Sequence, residues 1–208
     1  QDTRQAKGRR RRLARLPRLS PPPEDEGSMA VRFDIRARGG DQALVADHVR
    51  VVVEDRVLLE DFSSVIRRGD AVGLVGPNGA GKSPLLATLL GQRPPAHGSA
   101  RIGDSVQVAF YRQDLAQVPQ DKKIFDIIND MRPAWTRGQV QGHLGRFDFS
   151  GDEVLRRAGT LSGGERARVA LAMMMLEGAN LLVFDEPTNH LDVESIEALE
   201  DAIEAFEG

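Results

Sequence analysis

The pattern of apolar and polar positions divides the chain into short strands first and alternating strands and helices afterwards. From Met29 onward, β-type runs occupy about 31–35, 44–53, 57–66, 71–76, 99–102, 106–112 and 181–185. Helical periodicity occupies about 83–91, 123–131, 136–145, 163–177 and an acidic segment from about Asp192. Strands that alternate with helices predict an α/β core with a mainly parallel sheet, and the early strands predict an antiparallel part before it.

The first 28 residues differ in composition from the rest. Residues 1–20 carry eight Lys or Arg side chains and one Asp, a net charge of +7, so the remaining residues carry −10 of the total −3. A triple proline at 21–23 and an acidic run at 24–26 follow. Because proline stops helices, we expect residues 1–28 to be a basic, proline-rich linker and 29–208 to be the folded domain. A solvated charged tail is the alternative.

The overall composition excludes several classes of protein. With 40% hydrophobic and 28% charged residues it is typical of a globular domain. The absence of cysteine excludes a disulfide scaffold, a thiolate zinc site and a thiol nucleophile. The longest apolar run, Val169–Leu176, is far shorter than the roughly 18 residues of a membrane-spanning helix. No membrane segment is predicted, and the cytoplasm is the default location.

A glycine-rich loop stands between the apolar run at 71–76 and the helix that follows it. Its residues match the pattern G-x-x-x-x-G-K-[ST] and are Gly76, Pro77, Asn78, Gly79, Ala80, Gly81, Lys82 and Ser83. Glycines let the backbone wrap around phosphate oxygens, and N–H groups at a helix start attract anions. Lys82 is expected to reach the phosphates and Ser83 to ligate Mg²⁺. Pro84 removes one N–H donor and disfavours α conformation at Ser83, so weakened binding is expected.

A second acidic motif follows the apolar strand at 181–184. Asp185 and Glu186 come at its carboxyl end, the edge of an open α/β sheet where ligands bind. One carboxylate can hold Mg²⁺, and its neighbour can orient and deprotonate a water molecule. Alone this is a strand that meets a polar turn, but together with the phosphate loop it indicates a nucleoside triphosphate hydrolase.

Between these motifs the string LSGGERARVALA occupies residues 161–172. Ser162 is a good helix N-cap, and Glu165 three residues later completes a capping box. Gly163 and Gly164 leave their backbone N–H groups approachable by a ligand.

The three motifs in this order resemble an ATP-binding cassette domain over about 45–208. The loop at 76–83 is similar to the Walker A motif, LSGGE at 161–165 to the signature and LLVFDE at 181–186 to the Walker B strand. The resemblance implies a P-loop core with a mainly parallel sheet, an antiparallel β subdomain and a small helical subdomain. It also implies roles for single residues: Glu186 as catalytic base, Asp185 and Gln113 near Mg²⁺, and Ser162–Glu165 over an ATP held by a partner cassette.

Further details resemble the ABC-F proteins, twin-cassette ATPases that act at the ribosome. The strings LSGGERARVALA and DEPTNHLD, the latter with Asn189 and His190, are typical of that group. The resemblance implies the second cassette of such a chain, cut short before its switch histidine, with residues 1–28 as the end of the interdomain linker near ribosomal RNA. It implies ATP hydrolysis that needs the other cassette, and therefore an inactive isolated fragment.

Two alternatives stay open. The first is the ATPase subunit of a membrane transporter. The second is a degenerate, nucleotide-binding scaffold without turnover. Pro84 argues for it, and so does Val53, which occupies a position where many cassettes place an aromatic ring under adenine.

Overall fold

The computed structural model describes residues 29–208, so the linker predicted for 1–28 lies outside the described residues. The strands of the described part are β1 Gln42–Val53, β2 Arg56–Arg67, β3 His97–Ile102, β4 Val108–Tyr111 and β5 Leu181–Phe184. The α-helices are α1 Lys82–Leu89, α2 Ile124–Met131, α3 Arg137–Gly145, α4 Gly163–Glu177 and α5 Val193–Glu204. Short 3₁₀ turns occupy Gly151–Leu155, Ala158–Thr160 and Pro187–His190.

The first three strands form an antiparallel sheet in the order β2-β1-β3. Glu54 and Asp55 connect β1 to β2 with φ angles of 47° and 61°, and a two-residue turn with both φ angles positive suits the twist of a hairpin. The buried side of β1, with Val49 and Val51, packs against Leu85 and Leu89 of α1. This small core places the sheet beside the helix that follows the phosphate loop.

The larger core surrounds the parallel pair β4 and β5. Helix α4 lies in this core and is buried around most of its circumference, with Ala167, Val169, Ala170, Leu171, Ala172, Met174 and Leu176 covered. It ends at Gly178, whose φ of 66° is the left-handed conformation that ends many helices. The predicted α/β class, with an antiparallel part before parallel strands, is confirmed.

Two predicted strands do not form. Residues 71–76 pair with no strand of the described chain, and Val75 is 95% exposed and Val72 67% exposed. Residues 31–35 are also unpaired, although Phe33 is buried against the larger core. Apolar composition favours a strand, but a strand exists only where a neighbour accepts and donates its backbone hydrogen bonds.

Within residues 29–208, none of the helices is both long enough and apolar enough to cross a bilayer. This finding agrees with the absence of a long apolar run in the sequence.

Candidate functional site

The phosphate loop curls around the start of α1. Gly79 and Gly81 have φ angles of 77° and 97°, a region that side-chain-bearing residues rarely adopt. Gly81 precedes the first helical residue, and no side chain caps the helix there. The first N–H groups of α1 are therefore left for a ligand, which is the property that an anion site at a helix N-terminus needs.

Lys82 carries the positive charge of the loop. Its Nζ donates hydrogen bonds to the carbonyl oxygens of Gly76 at 3.0 Å and Pro77 at 3.2 Å, and it lies 3.5 Å from Oε1 of Glu186. Only 17% of the Lys82 side chain is exposed. The cation is thus held inside the loop, opposite a carboxylate.

Glu186 follows the buried Asp185, two residues after the end of β5, and has a φ angle of 49°. An L-residue in this region is strained by about 1–3 kcal/mol, and such strain is concentrated at functional sites. Its Oε2 accepts hydrogen bonds from Nε2 of Gln113 and from Nδ2 of Asn189, both at 2.7 Å. The structure therefore brings together three residues predicted from separate motifs: Lys82, Gln113 and Glu186.

Asn189 is a site residue that sequence reasoning missed. The 3₁₀ turn Pro187–His190 carries its amide back to Glu186. The available signal was an amide side chain three residues after a candidate base, a spacing at which a single tight turn brings two side chains together.

A cleft of about 540 Å³ joins the loop to the tip of the β1–β2 hairpin. The hairpin contributes Val53, Glu54, Arg56 and Leu58, and the loop contributes Asn78, Gly79, Gly81, Lys82, Ser83 and Pro84. Gln113 and Glu186 complete the lining. None of these described residues is aromatic, in keeping with Val53 standing where a stacking ring was expected.

The donor set of the cleft fits a magnesium nucleotide better than a metal ion alone. Among residues 29–208, no group of three or more His, Asp or Glu side chains could hold a metal. Mg²⁺ usually takes one or two carboxylates and completes its shell with water and phosphate oxygens. Ser83 and Gln113 line the cleft, and Asp185 lies buried beside Glu186 at the end of β5.

The residues Ser162–Glu165 form the predicted capping box at the start of α4. The Glu165 amide donates to Oγ of Ser162 at 3.2 Å, and the Ser162 amide donates to Oε2 of Glu165 at 2.7 Å. A Cβ placed on Gly164 would lie 3.0 Å from the carbonyl oxygen of His190, and one on Gly163 would lie 3.3 Å from Nδ1 of His190. His190 therefore packs against both glycines.

An arginine that the sequence did not single out holds Glu165. The hydrogen bond from the Arg156 guanidinium, with that from the Ser162 amide, lowers the pKa of Glu165 to about 2. None of the four residues Ser162–Glu165 lines the cleft. The phosphate loop therefore lines the cleft and the capping box does not.

The model of the family described as ABC transporter matches residues 59–189, which is more than half of the chain. The chain belongs to the ABC transporter family. Domains of this family bind ATP with Mg²⁺ and pair as dimers.

Curated relatives of this cassette include proteins of bacteria and plants. It is 41% identical to "Putative ATP-binding protein YdiF" of Bacillus subtilis over 99% of this chain and 32% of that protein. It is 38% identical to "Energy-dependent translational throttle protein EttA" of Escherichia coli over 82% of this chain and 32% of that protein. It is 35% identical to "ABC transporter F family member 5" of Arabidopsis thaliana over 89% of this chain and 27% of that protein.

These relatives confirm the ABC-F resemblance, and the cassette spans about a third of their length. A bacterial Atm1-family ABC exporter with ATP bound has a similar structure, with a TM-score of 0.68 over 98% of this chain and 37% of the exporter chain. At 22% sequence identity this likeness supports the fold alone.

Proposed function

We propose that this cassette binds and hydrolyses ATP as the second nucleotide-binding domain of an ABC-F ATPase that acts on the ribosome. The proposal rests on the position of the Glu186 carboxylate. The side-chain amides of Gln113 and Asn189 orient it at the wall of the cleft, and it faces Lys82. In this proposal residues 29–208 form the cassette and residues 1–28 the end of an interdomain linker.

Each site residue has a role that its position supports. Lys82 and the N–H groups at the start of α1 bind the phosphates, and Ser83, Gln113 and Asp185 hold Mg²⁺. Bound Mg²⁺ neutralises charge on the phosphate oxygens. Glu186 orients the attacking water and accepts its proton, while Gln113 and Asn189 keep the carboxylate in place. Catalysis of this kind depends on positioning and electrostatics.

The residues Ser162–Glu165 serve a nucleotide outside this cassette. These residues do not line the cassette's own cleft, and the capping box uses the amides of Ser162 and Glu165 but not those of Gly163 and Gly164. The two glycine N–H groups therefore suit an anion held by a partner. The partner proposed is the other cassette of the same full-length protein. The isolated 208-residue chain is therefore expected to show negligible turnover.

Replacement of the proposed base tests the chemistry. In the full-length protein, Glu186→Gln is expected to lower phosphate release from this cassette's site by about 100-fold to 10,000-fold, the usual range for a lost general base, while ATP still binds. The matched control is Glu200→Gln on the exposed face of α5, which should leave the rate unchanged. Equal turnover in the two variants would remove Glu186 from the mechanism.

Ribosome association is tested separately. The printed name of one relative describes a translational throttle, and residues 1–20 of this chain carry a net charge of +7, which suits contact with RNA phosphates. We expect the full-length protein to co-sediment with ribosomes and to dissociate steeply as salt is raised, because about six or more cationic contacts are involved. Retention in a membrane fraction without ribosomes would instead favour the transporter subunit.

A further inference from the structure

Arg156 makes a two-pronged contact with Glu165. Its Nη1 donates to Oε1 at 2.6 Å and its Nη2 donates to Oε2 at 3.3 Å. The same Oε2 accepts the Ser162 amide at 2.7 Å. A guanidinium that holds both oxygens of a carboxylate is stronger and more directional than a single-point ion pair. The orientation of Glu165 is therefore fixed on both oxygens.

The backbone of Arg156 is itself held in place. The Ile124 amide at the start of α2 donates to the Arg156 carbonyl at 3.1 Å. Two residues later the Ala158 amide donates to the Lys122 carbonyl at 2.9 Å, and the Gly159 amide donates to the Gln120 carbonyl at 2.9 Å. These three bonds tie the segment before the capping box to the one that leads from Gln113 into α2.

The two segments also lie close together at Gly159. A Cβ placed on Gly159 would lie 2.8 Å from the Gln120 carbonyl oxygen, so the two backbones are in close contact. At the start of α4, His190 packs against Gly163 and Gly164. Residues 162–165 are therefore in contact with both Arg156 and His190.

We propose that Arg156 is a positioning residue for hydrolysis in the partner's site: through Glu165 it fixes Ser162 and the N–H groups of Gly163 and Gly164 in the orientation that the partner cassette's nucleotide requires. This rests on the proposed function, in which residues 162–165 complete the partner's site. A merely structural ion pair would stabilise the start of α4 and leave turnover alone.

The first experiment measures ATP turnover by the full-length protein. Arg156→Gln is expected to lower kcat by about 10–100-fold, the loss that follows small misplacement of a catalytic group, with little change in KM because the first contacts of ATP are made by the partner's own loop. Arg156→Lys should recover part of the loss, because lysine keeps the charge but not the two-pronged contact.

Arg157→Gln is the matched control. Arg157 is the next residue and is exposed, and its side chain makes no ion pair or hydrogen bond with the described residues. The control variant is expected to keep the wild-type kcat. If Arg156→Gln keeps it too, or only lowers Tm, the ion pair is structural and the inference is wrong.

A double-mutant comparison shows whether Arg156 acts through Glu165. Glu165→Gln removes the charge but keeps a side chain that supports a capping box. In that background Arg156→Gln should lower kcat by less than twofold further, because the contact is already lost. If the kcat losses of the two single variants multiply in full in the double variant, the inference about Arg156 is wrong, but the proposed function is unaffected. A full-length wild-type protein that hydrolyses no ATP would overturn the proposed function as well.

Discussion

Helices α1 and α4 both begin at glycine-rich strings, yet their first turns are built in opposite ways. The start of α4 has a complete capping box, and the Arg156 guanidinium holds its glutamate. The start of α1 has no side-chain cap, and the run 71–76 before it is unpaired and exposed. One helix start is capped by its own side chains, and the other has no side-chain cap.

The difference separates two kinds of phosphate recognition. At α4 the geometry is fixed by local side chains before any nucleotide binds, so this end is preorganised. At α1 the loop's own carbonyls and Glu186 hold the lysine, and uncapped N–H groups stay available to an anion. We infer that nucleotide binding stabilises the start of α1 more than the start of α4.

The largest effect is expected at Gly81 of the uncapped loop. Gly81→Ala combines a φ of 97° with a Cβ that would lie 2.7 Å from Cδ1 of Leu58, so we expect a loss of about 2–4 kcal/mol in stability together with nucleotide binding. Gly79→Ala is the matched control, because its φ is 77° but nothing lies within 4 Å of the added carbon. It should lose only about 1–2 kcal/mol.

Equilibrium unfolding of the cassette and ATP titration check both glycine variants. Adding Leu58→Ala to Gly81→Ala should recover part of the loss, because it removes Cδ1 and Cγ of Leu58 and leaves only its Cβ, 3.1 Å from the added carbon. Equal losses at the two positions would mean that backbone strain alone shapes the loop, and that packing against β2 contributes nothing.

Pro84 provides the next largest effect. Pro84→Thr restores one N–H donor in the first turn of α1 and relieves the restriction on Ser83. We expect ATP affinity to rise by about 10–100-fold, since a hydrogen bond to a charged group contributes about 1.5–3 kcal/mol. Isothermal titration calorimetry measures the ATP affinity. Pro94→Thr, in the exposed loop before β3, is the control. Tight, unchanged affinity would show that the proline does no harm and would weaken the scaffold alternative.

Local patterns were enough to predict the five α-helices of the described residues and to place their starts within about one residue. The spacing of Ser162 and Glu165 predicted the capping box, and the periodicity after it predicted α4 at 163–177. The motifs at 76–83 and 181–186 predicted that Lys82 and Glu186 belong to one site, the resemblance to ATP-binding cassettes added Gln113, and the contacts among the three agree. The helices and the capping box depend on residues close in sequence, whereas the grouping of the three site residues depended on the family resemblance.

Features that depend on strand pairing, side-chain contacts or the exact geometry of a turn were missed. Residues 71–76 have the composition of a strand, but pairing depends on neighbours that composition does not specify. Arg156 contacts Glu165 of the capping box, and Leu58 lies beside Gly81 of the phosphate loop. No rule of sequence spacing predicts either contact. Asn189 lies within the string DEPTNHLD, yet its contact with Glu186 depends on the turn at 187–190.

A smaller effect is expected at the cap of α4. Ser162→Ala should lower stability by about 0.5–2 kcal/mol, the usual loss for an N-cap. Thr136→Ala is a matched control, because Thr136 and Gln139 form the same kind of capping box at α3. Both variants should lose similar stability in equilibrium unfolding, and only Ser162→Ala should lower turnover of the full-length protein. Equal turnover losses would mean that general stability, not the cap's position, matters.

The smallest effect concerns the charge of Glu165. Its pKa is lowered from 4.5 to about 2 in the folded cassette, mainly by the Arg156 hydrogen bond. A lowered folded pKa means that the stabilisation is fully present above about pH 4.5 and is lost as the pH falls towards 2. The stability difference between wild type and Glu165→Gln should therefore be constant near neutral pH and shrink through this window.

Asp192 also has a lowered pKa, mainly from its hydrogen bonds to Ser195, but it is present in both proteins and cancels in the difference. Unfolding curves collected between pH 6 and 2 provide the measurement. A difference that stays constant to pH 2 would mean that Glu165 acts at α4 as a neutral cap, and the contrast between the two helix starts would then depend on hydrogen bonding without charge.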